Sequence, residues 1–511
     1  MSEDIKDIQS VESVSEETPN QTSSYRSIFK ATSLFGGVQV YQILVGIIKS
    51  KIIAVLLGPL GVGILGLYTS AEQLLKSITS MGLQSSAVRD LSEANNSGDN
   101  NRISLKITVL KRLIFLTGLL GMIVMAVLSP LLSKVSFGDY TYIVPFVFFS
   151  VCMLLDQLCN GQKIILQGLR KLKPLAIVTA IGSTVGLLAS IPVYYFWGVK
   201  GIVPALILTS AASLLFTWLI TRKIKVKPIS LSNKEVFKEG STMLKLGIAM
   251  SVSGIIGTLS AYIIRSFIRA QGGVDDVGLF TAGFMLMNTY TGMVFTAMST
   301  DYFPRLAAVN KDNAKCREII NQQGEIGVLI LLPLLLVCMV FVPFIVRILY
   351  SDEFMPANGY ILWACSGMLF KMASWAVSYV YVAKAEAKLF AIIEISSNVI
   401  SMVFSMLGYI IGGMTGLGIT FSLAYIVYLV IVYVMAHKKY DFSFSNVFRG
   451  MFIFESVLLF SCLAIVLLLP LVYKYIFGSI LIIVATYYSL RELNKRIGLT
   501  NFIKSHGKKK R

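Results

Sequence analysis

The sequence predicts an all-α polytopic membrane protein with about 14 transmembrane helices and both termini in the cytoplasm. Of its 511 residues, 55% are hydrophobic and only 14% are charged, and the mean hydropathy is +0.73. Apolar runs of about 18 or more residues, each long enough to cross a bilayer, recur along almost the whole chain. Basic residues alternate between successive loops, as membrane topology requires.

The apolar runs place the elements in order along the chain. We predict spans at 32–57, 62–84, 110–132, 142–161, 174–196, 201–221, 244–268, 278–301, 325–348, 359–382, 388–411, 417–436, 449–470 and 474–490. These spans divide the chain into a disordered acidic tail without a signal peptide (1–27), a six-helix bundle (28–223), a cytoplasmic linker (224–243), a second six-helix bundle (244–437), an extra helix pair (438–490) and a basic tail (491–511).

The net charge of +19 is distributed unevenly between the two sides of the membrane. The predicted inner segments after spans 2, 4, 6, 8, 10 and 12 are rich in Lys and Arg. The predicted outer segments hold only Lys134, Lys200, Arg269, Arg347 and Lys474. The positive charge is therefore explained by topology and by contact with anionic lipid, and it does not indicate a nucleic-acid partner.

Catalytic and metal-binding side chains are scarce. The six cysteines lie scattered, mostly in apolar runs, without the spacing of a metal site or a disulfide framework. The two histidines, His437 and His506, fall in polar segments. The outer segments are too short to carry the catalytic groups of a polysaccharide polymerase or ligase. We therefore expect neither an enzyme nor a bound metal.

An internal repeat relates the two bundles. At an offset of 215–216 residues, Lys49 aligns with Arg265 and Gly63 with Gly278. The same offset aligns Arg89 with Arg305, and Gly198-x-x-Gly201 with Gly413-x-x-Gly416. Because each unit holds six spans, both units have the same orientation, which predicts a pseudo-two-fold axis along the membrane normal. In transporters with parallel repeats the substrate site lies between the halves.

Cations inside the spans are the main candidates for substrate binding. Lys49 and Lys51 lie on span 1, about 200° apart around the helix, so only one of them can face a given cavity. Arg265 lies at a similar depth on span 7, Arg269 lies one turn nearer the surface, and Lys371 lies near the middle of span 10. Buried cations are costly and indicate function by default, with snorkelling as the alternative for Lys49 and Lys51. Their excess predicts an anionic substrate.

Acidic groups are fewer. Glu72 and Lys76, four residues apart on span 2, can pair either as a structural salt bridge or as part of a functional site. Glu394, about two turns above the inner end of span 11, could carry a proton or pair with a cation. Weaker acidic candidates are Asp156, Asp301, Glu325 and Glu455, the last two at predicted inner helix starts.

Glycine and proline concentrate at the outer ends of spans 1 and 7. We expect these residues to give both helices bendable ends. The residues are Gly58, Pro59, Gly61, Gly63, Gly272 and Gly273.

Several of these residues carry a resemblance to a known family. They are the stretch 51–63, Ile264-Arg265, Asp276-Val277-Gly278-Leu279, Tyr302-Phe303-Pro304-Arg305-Leu306, Phe370-Lys371, the stretch 378–385 and Glu394. From about residue 28 to 437 the chain resembles the Wzx-type O-antigen flippases of the multidrug/oligosaccharidyl-lipid/polysaccharide exporter superfamily. The resemblance matches Lys51, Arg265, Lys371 and Glu394 to charged positions of that family. It favours Lys51, whereas the internal repeat favours Lys49.

The resemblance implies two six-helix bundles around a cationic cavity and an undecaprenyl-diphosphate-linked oligosaccharide as the substrate. We expect a monomeric flippase in the bacterial inner membrane, working by alternating access, with the polysaccharide polymerase and chain-length regulator as further partners. No cofactor is expected, and H⁺ or Na⁺ remains open as a coupling ion. The alternatives are a cation-coupled multidrug exporter and a peptidoglycan lipid II flippase. In lipid II flippases an extra helix pair forms a groove for the lipid tail.

Overall fold

The computed structural model describes residues 20–224 and 229–497, and within these ranges the secondary structure is helical, without strands. The helices are α1 (Asn20–Thr79), α2 (Leu83–Asn96), α3 (Asn100–Val127), α4 (Ser129–Phe137), α5 (Ile143–Gly168), α6 (Leu172–Trp197), α7 (Ile202–Thr221), α8 (Asn233–Ala308), α9 (Asn313–Leu349), α10 (Asn358–Ala383), α11 (Ala387–Tyr440), α12 (Asn446–Leu468) and α13 (Leu471–Ile497). Short 3₁₀ turns cover Gly198–Gly201 and Asp352–Ala357. Most of the predicted acidic tail (1–19), part of the linker (225–228) and the end of the basic tail (498–511) lie outside the described residues.

The described part of the chain contains ten helical stretches that are long and apolar enough to cross a membrane. Four of them, Gly37–Thr79, Leu172–Thr221, Met250–Asn288 and Lys388–Tyr440, are 39 to 53 residues long. A straight helix of that length would measure at least about 58 Å, roughly twice the thickness of the hydrocarbon core. Each of the four has room for two crossings. The all-α membrane fold is confirmed, and the count of 14 spans stays a prediction.

Glycines break the long helices at positions that repeat along the chain. Gly58 (φ 62°, ψ −170°) breaks α1, and Gly273 (φ 89°, ψ −179°) breaks α8. Gly198 (φ 52°, ψ −133°) ends α6, and Gly413 (φ 54°, ψ −133°) breaks α11. Each pair is 215 residues apart and shares a left-handed conformation that only glycine adopts without strain. The repeat predicted from side chains is therefore present in the backbone.

The helices between these breaks follow the same repeat. α5 and α10 both have 26 residues, and their first residues, Ile143 and Asn358, are 215 apart. Just after them, Arg170 (φ 53°) and Ala385 (φ 56°) share the left-handed conformation. The two bundles are thus two copies of one arrangement. The exact domain boundaries stay a prediction.

The two halves meet where α1 packs against α8. A Cβ on Gly63 would overlap the main-chain oxygen of Val274, and a Cβ on Gly278 would overlap that of Pro59. These two contacts are equivalent under the 215-residue repeat, so the pseudo-two-fold axis passes between Gly63 and Gly278. Only glycine permits so close an approach of the two backbones. The halves are therefore in contact at the predicted outer end of the bundle.

Several helices start earlier than hydropathy predicts. α3 begins at Asn100 rather than 110, and α9 begins at Asn313 rather than 325. Their first turns are polar and are capped by Asp99 and Asp312, whose carboxylates accept backbone N–H groups. The bond from the Lys315 N–H holds the pKa of Asp312 below its usual range. Hydropathy detects where a helix becomes apolar, whereas capping decides where it begins.

The sequence also missed two short helices, α2 and α4, because neither is long or apolar enough to be detected as a span. The early helix starts change the position of two acidic residues as well. Glu325 and Glu455, predicted at inner helix starts, lie well inside α9 and α12. Charge at a helix N-terminus therefore cannot account for either carboxylate.

The C-terminal helix pair is attached to the second half. Arg496 on α13 pairs with Glu325 on α9 at 2.8 Å and with Glu492 at 2.7 Å. The amide of Asn321 on α9 holds the segment before α12, donating to the Ser443 carbonyl at 3.1 Å. These polar contacts join α12 and α13 to α9 near their inner ends.

Candidate functional site

Arg265 lies on α8, in the membrane half of the chain that follows the linker. Its guanidinium lies over the rings of Phe280 (5.7 Å) and Phe284 (5.5 Å). One nitrogen, Nη1, donates to the carbonyl of Ala261 in its own helix at 3.1 Å, while Nε is buried without a partner. Among the described residues no carboxylate pairs with Arg265. The side chain is therefore a desolvated cation with unused hydrogen-bonding capacity.

Lys371 on α10 has a similar environment. Its ammonium lies 5.2 Å from the ring centre of Tyr425 and 5.8 Å from that of Phe295. It makes no ion pair with any carboxylate in the part of the chain that the structure describes. Contacts between a cation and an aromatic ring contribute only about 0.5–2 kcal/mol, well below what a bound anion can contribute.

Lys49 occupies the position in α1 that the repeat matches to Arg265. It is half-buried, and no described carboxylate lies within ion-pair distance of its ammonium. The neighbouring Ser50 contacts Met285 of α8 across the two halves (Oγ to Sδ, 3.9 Å). This part of α1 therefore faces the second half.

Lys51 and Arg269 have different partners from the other cations. Lys51 donates to the main-chain oxygens of Arg347, at 2.8 Å, and Tyr350. Arg269 donates to the main-chain oxygens of Ser136, Lys134 and Val135. Each side chain thus bridges the two halves instead of lying free. A substrate-binding role for either residue stays a prediction.

Glu72 and Lys76 do pair, as their spacing predicts, and a third residue joins them. The Lys76 ammonium lies 3.7 Å from Glu72 Oε1 and 3.0 Å from Asp156 Oδ2. Asp156 is on α5, a weaker candidate from sequence because its partner lies on a different helix. The cluster holds two carboxylates for one ammonium, and Glu72 Oε1 is buried without a hydrogen bond. Fully ionised, it would carry an uncompensated negative charge inside the membrane.

Glu394 lies half-buried on α11. It has no ion pair with a described cation, so the expected pairing is not seen there. Asn398, one turn further along, donates to its main-chain oxygen at 2.9 Å. The structure does not bring Glu394 to the Glu72 cluster, which lies in the other half.

The predicted hinge residues divide into two groups. Gly58 and Gly273 have the positive φ that interrupts their helices, and Pro59 follows the first break directly. Gly61, Gly63 and Gly272 have helical conformations. Whether either break works as a hinge stays a prediction.

An apolar groove runs along the extra helix pair. It has a volume of about 590 Å³ and lies between α10 and α12. Its walls include Phe370, Phe452, Val457 and Phe460. Phe370 precedes Lys371, so the groove and one of the unpaired cations lie on adjacent faces of α10.

Comparison with known proteins supports the same architecture. The family described as "Polysaccharide biosynthesis protein" matches residues 52–359. The lipid III flippase of Escherichia coli (strain K12) is 21% identical over 416 residues, which are 79% of this chain and 96% of that protein. The lipid III flippase of Shigella flexneri matches to the same extent.

Two solved structures share the fold. An inward-facing multidrug resistance MATE family transporter of the MOP superfamily superposes with a TM-score of 0.66 at 16% identity, covering 78% of this chain and 94% of that one. The lipid II flippase MurJ, in an inward closed conformation, superposes with a TM-score of 0.64 at 12% identity. That match covers 92% of this chain and 99% of the other.

Proposed function

The chain belongs to the polysaccharide biosynthesis protein family, and from this membership we propose that it flips an undecaprenyl-diphosphate-linked oligosaccharide, an O-antigen or similar repeat unit, across the membrane. It is a multi-pass membrane protein of the MOP superfamily, whose matched relatives are transporters and flippases. The proposed location is the bacterial inner membrane, where the sugar would move from the inner to the outer leaflet.

The unpaired cations carry this proposal. Arg265 and Lys371 are desolvated on aromatic faces without a described carboxylate to neutralise them. A buried cation of this kind is costly unless something compensates its charge. A diphosphate would supply that charge, with the fork of Arg265 suited to two phosphate oxygens and Lys371 acting as a point charge. Lys49 is the equivalent cation proposed for the first half.

The apolar groove supports a lipid-linked substrate. A polyprenyl chain needs apolar surface while its headgroup crosses the protein. The groove beside Phe370 offers such a surface within one residue of Lys371. We propose that α12 and α13, attached to α9 by Arg496, provide the wall along which the tail lies.

Alternating access is the proposed transport mechanism. The predicted outer ends of α1 and α8 are in contact through Gly63 and Gly278. The proposed cycle opens this contact after the headgroup has entered from the cytoplasmic side. The breaks at Gly58 and Gly273 would allow the outer arms to bend. A monomer suffices for this cycle, with the polymerase and chain-length regulator taking up the product.

Two other substrates compete with this proposal. Lipid II is favoured by one observation, the match to MurJ over 92% of the chain, which is more than the MATE transporter covers. A cation-coupled multidrug exporter would need acidic groups to meet cationic drugs. Against it, the deep unpaired side chains in the described part of the chain are mainly cations.

Purified protein in proteoliposomes tests the substrate. We expect it to move an undecaprenyl-diphosphate oligosaccharide between leaflets, measured as the fraction exposed to an added glycosidase. Lipid II and a fluorescent cationic drug are tested in parallel. Transfer of lipid II alone would replace the proposal with peptidoglycan synthesis. Movement of the drug alone would overturn the flippase assignment.

We propose H⁺ or Na⁺ as the coupling ion, bound at the cluster of Glu72, Lys76 and Asp156. Two carboxylates around one ammonium leave a negative charge that one cation would neutralise. Glu394 is the alternative position in the second half. If the cluster couples transport, an imposed pH or Na⁺ gradient will accelerate flipping by the native protein. The same gradient will have no effect on Glu72→Gln, while Glu394→Gln serves as the matched variant. The reverse result would move the coupling site to Glu394.

A further inference from the structure

Two helix ends at the predicted outer face are closed by side chains from the opposite half. Arg269 on α8 donates from Nε to the Ser136 oxygen at 2.9 Å and from Nη2 to the Lys134 oxygen at 3.0 Å. Both oxygens belong to the last residues of α4. The carbonyl groups at a helix C-terminus lack partners within the helix, and the helix dipole makes that end favourable for a cation.

Lys51 makes the corresponding contact in the other direction. It lies on α1 and donates to the Arg347 oxygen at 2.8 Å and to the Tyr350 oxygen. These carbonyls end α9, for which Tyr350 is the capping residue. A cation from the first half therefore caps a helix of the second half, while Arg269 does the opposite.

The internal repeat makes the two contacts counterparts. Val135 and Tyr350, which accept from Arg269 and Lys51 respectively, are 215 residues apart and occupy the same place in the two halves. The donors lie on the corresponding first helices of the two bundles, one helical turn apart in register. Two independent local contacts would not be expected to obey the symmetry of the whole fold.

The charged groups around the contacts leave these bonds as the main interaction of each cation. Asp352 is bound to the Arg347 side chain at 2.7 Å. The Asp139 carboxylate accepts the Thr141 N–H at 2.9 Å, within its own turn. Neither Lys51 nor Arg269 pairs with a carboxylate among the described residues. Breaking either contact would therefore release a cation without leaving a buried carboxylate unpaired.

We propose that Lys51 and Arg269 form a two-point latch that holds the outer face closed, and that outward opening breaks both contacts. This rests on the alternating access of the proposed function. It gives the two lysines of α1 separate roles, since Lys49 shares its repeat position with Arg265 while Lys51 acts on the opposite half. Once released, both cations would stand at the outer mouth, on the exit path of an anionic headgroup.

Labelling from outside tests the latch without any substrate. Thr281 lies behind the Gly63–Gly278 contact, where a Cβ on Gly66 would meet its hydroxyl at 2.6 Å. Thr281→Cys is therefore a small change at a position that only outward opening exposes. The six native cysteines are buried, so a membrane-impermeant maleimide added outside should leave them unlabelled.

We expect Lys51→Met and Arg269→Met each to raise the labelling rate of Thr281→Cys by about threefold to tenfold, and the double variant to raise it further. Lys200→Met, which removes an exposed cation on the same predicted face, should leave the rate unchanged. Arg269→Lys keeps the charge and should label more slowly than Arg269→Met. If Arg269→Met does not reach the membrane, Arg269→Gln replaces it with the same expectation.

Unchanged labelling in the double variant would overturn the latch, and so would equal acceleration by Lys200→Met. Because no substrate is present, either result would leave the flippase proposal untouched. Conversely, a protein that flips none of the tested lipids could still show faster labelling in the latch variants.

Discussion

Alanine in place of Arg265 is expected to lower transport by about tenfold to a hundredfold while the protein remains folded. A hydrogen bond to a charged group contributes about 1.5–3 kcal/mol, and Arg265 is the cation with the clearest unused donor. Its removal also relieves the cost of a desolvated, unpaired charge. We therefore expect the melting temperature of Arg265→Ala to equal or exceed that of the native protein, as when a strained functional group is removed. Lys371→Ala should behave in the same way.

The measurement is the rate of flipping in proteoliposomes, together with surface polysaccharide in cells that lack their own flippase. Lys311→Ala removes an exposed cation and is the matched control. Arg265→Lys should recover only part of the rate, because an ammonium cannot make the two parallel bonds of a guanidinium. Full activity of both alanine variants at normal protein levels would contradict the cationic site.

Methionine in place of Lys76 is expected to destabilise the protein by about 3–5 kcal/mol, the typical cost of removing one partner from a buried ion pair. Glu72 and Asp156 would face each other inside the membrane without the ammonium that now lies 3.7 Å and 3.0 Å from them. The result would be a large fall in the melting temperature of the purified protein. The amount found in the membrane should fall with it.

A compensated variant separates this effect from simple loss of packing. Lys76→Met combined with Glu72→Gln and Asp156→Asn removes all three charges at nearly constant volume. We expect its stability to return close to that of the native protein, since a buried ion cluster can often be replaced by neutral groups. If the triple variant is no more stable than Lys76→Met, the charge balance of the cluster is not what stabilises this region.

Comparison of particular elements shows how far the sequence reaches. The offset that aligns Lys49 with Arg265 also relates the backbone of Gly58 to Gly273 and that of Gly198 to Gly413. Repetition in sequence implies repetition in structure, so the parallel repeat could be predicted without coordinates. The helix starts at Asn100 and Asn313 could not be predicted from hydropathy, since they depend on polar turns and aspartate caps.

The candidate site was predictable in part. Residue type and depth identified Arg265 and Lys371, because a cation inside an apolar run is unusual on any helix. The third member of the Glu72 cluster, Asp156, was rated too low because its partner is 80 residues away. Glu455 was also misplaced, since it lies fully buried within α12 with both carboxylate oxygens unpartnered. Contacts between distant helices leave no periodic signal in a single sequence.

The amino-acid sequence by itself determined that this is a helical membrane protein with repeated halves and an excess of buried cations. These properties follow from local composition, from the length of apolar runs and from self-similarity. Only the tertiary structure decided what each cation contacts. Lys49 and Lys51 are two residues apart, yet Lys51 closes a helix of the other half while Lys49 has no ion pair with a described carboxylate. That distinction depends on the packing of α1 against α9, which brings residues about 300 positions apart together, as side-chain periodicity alone cannot.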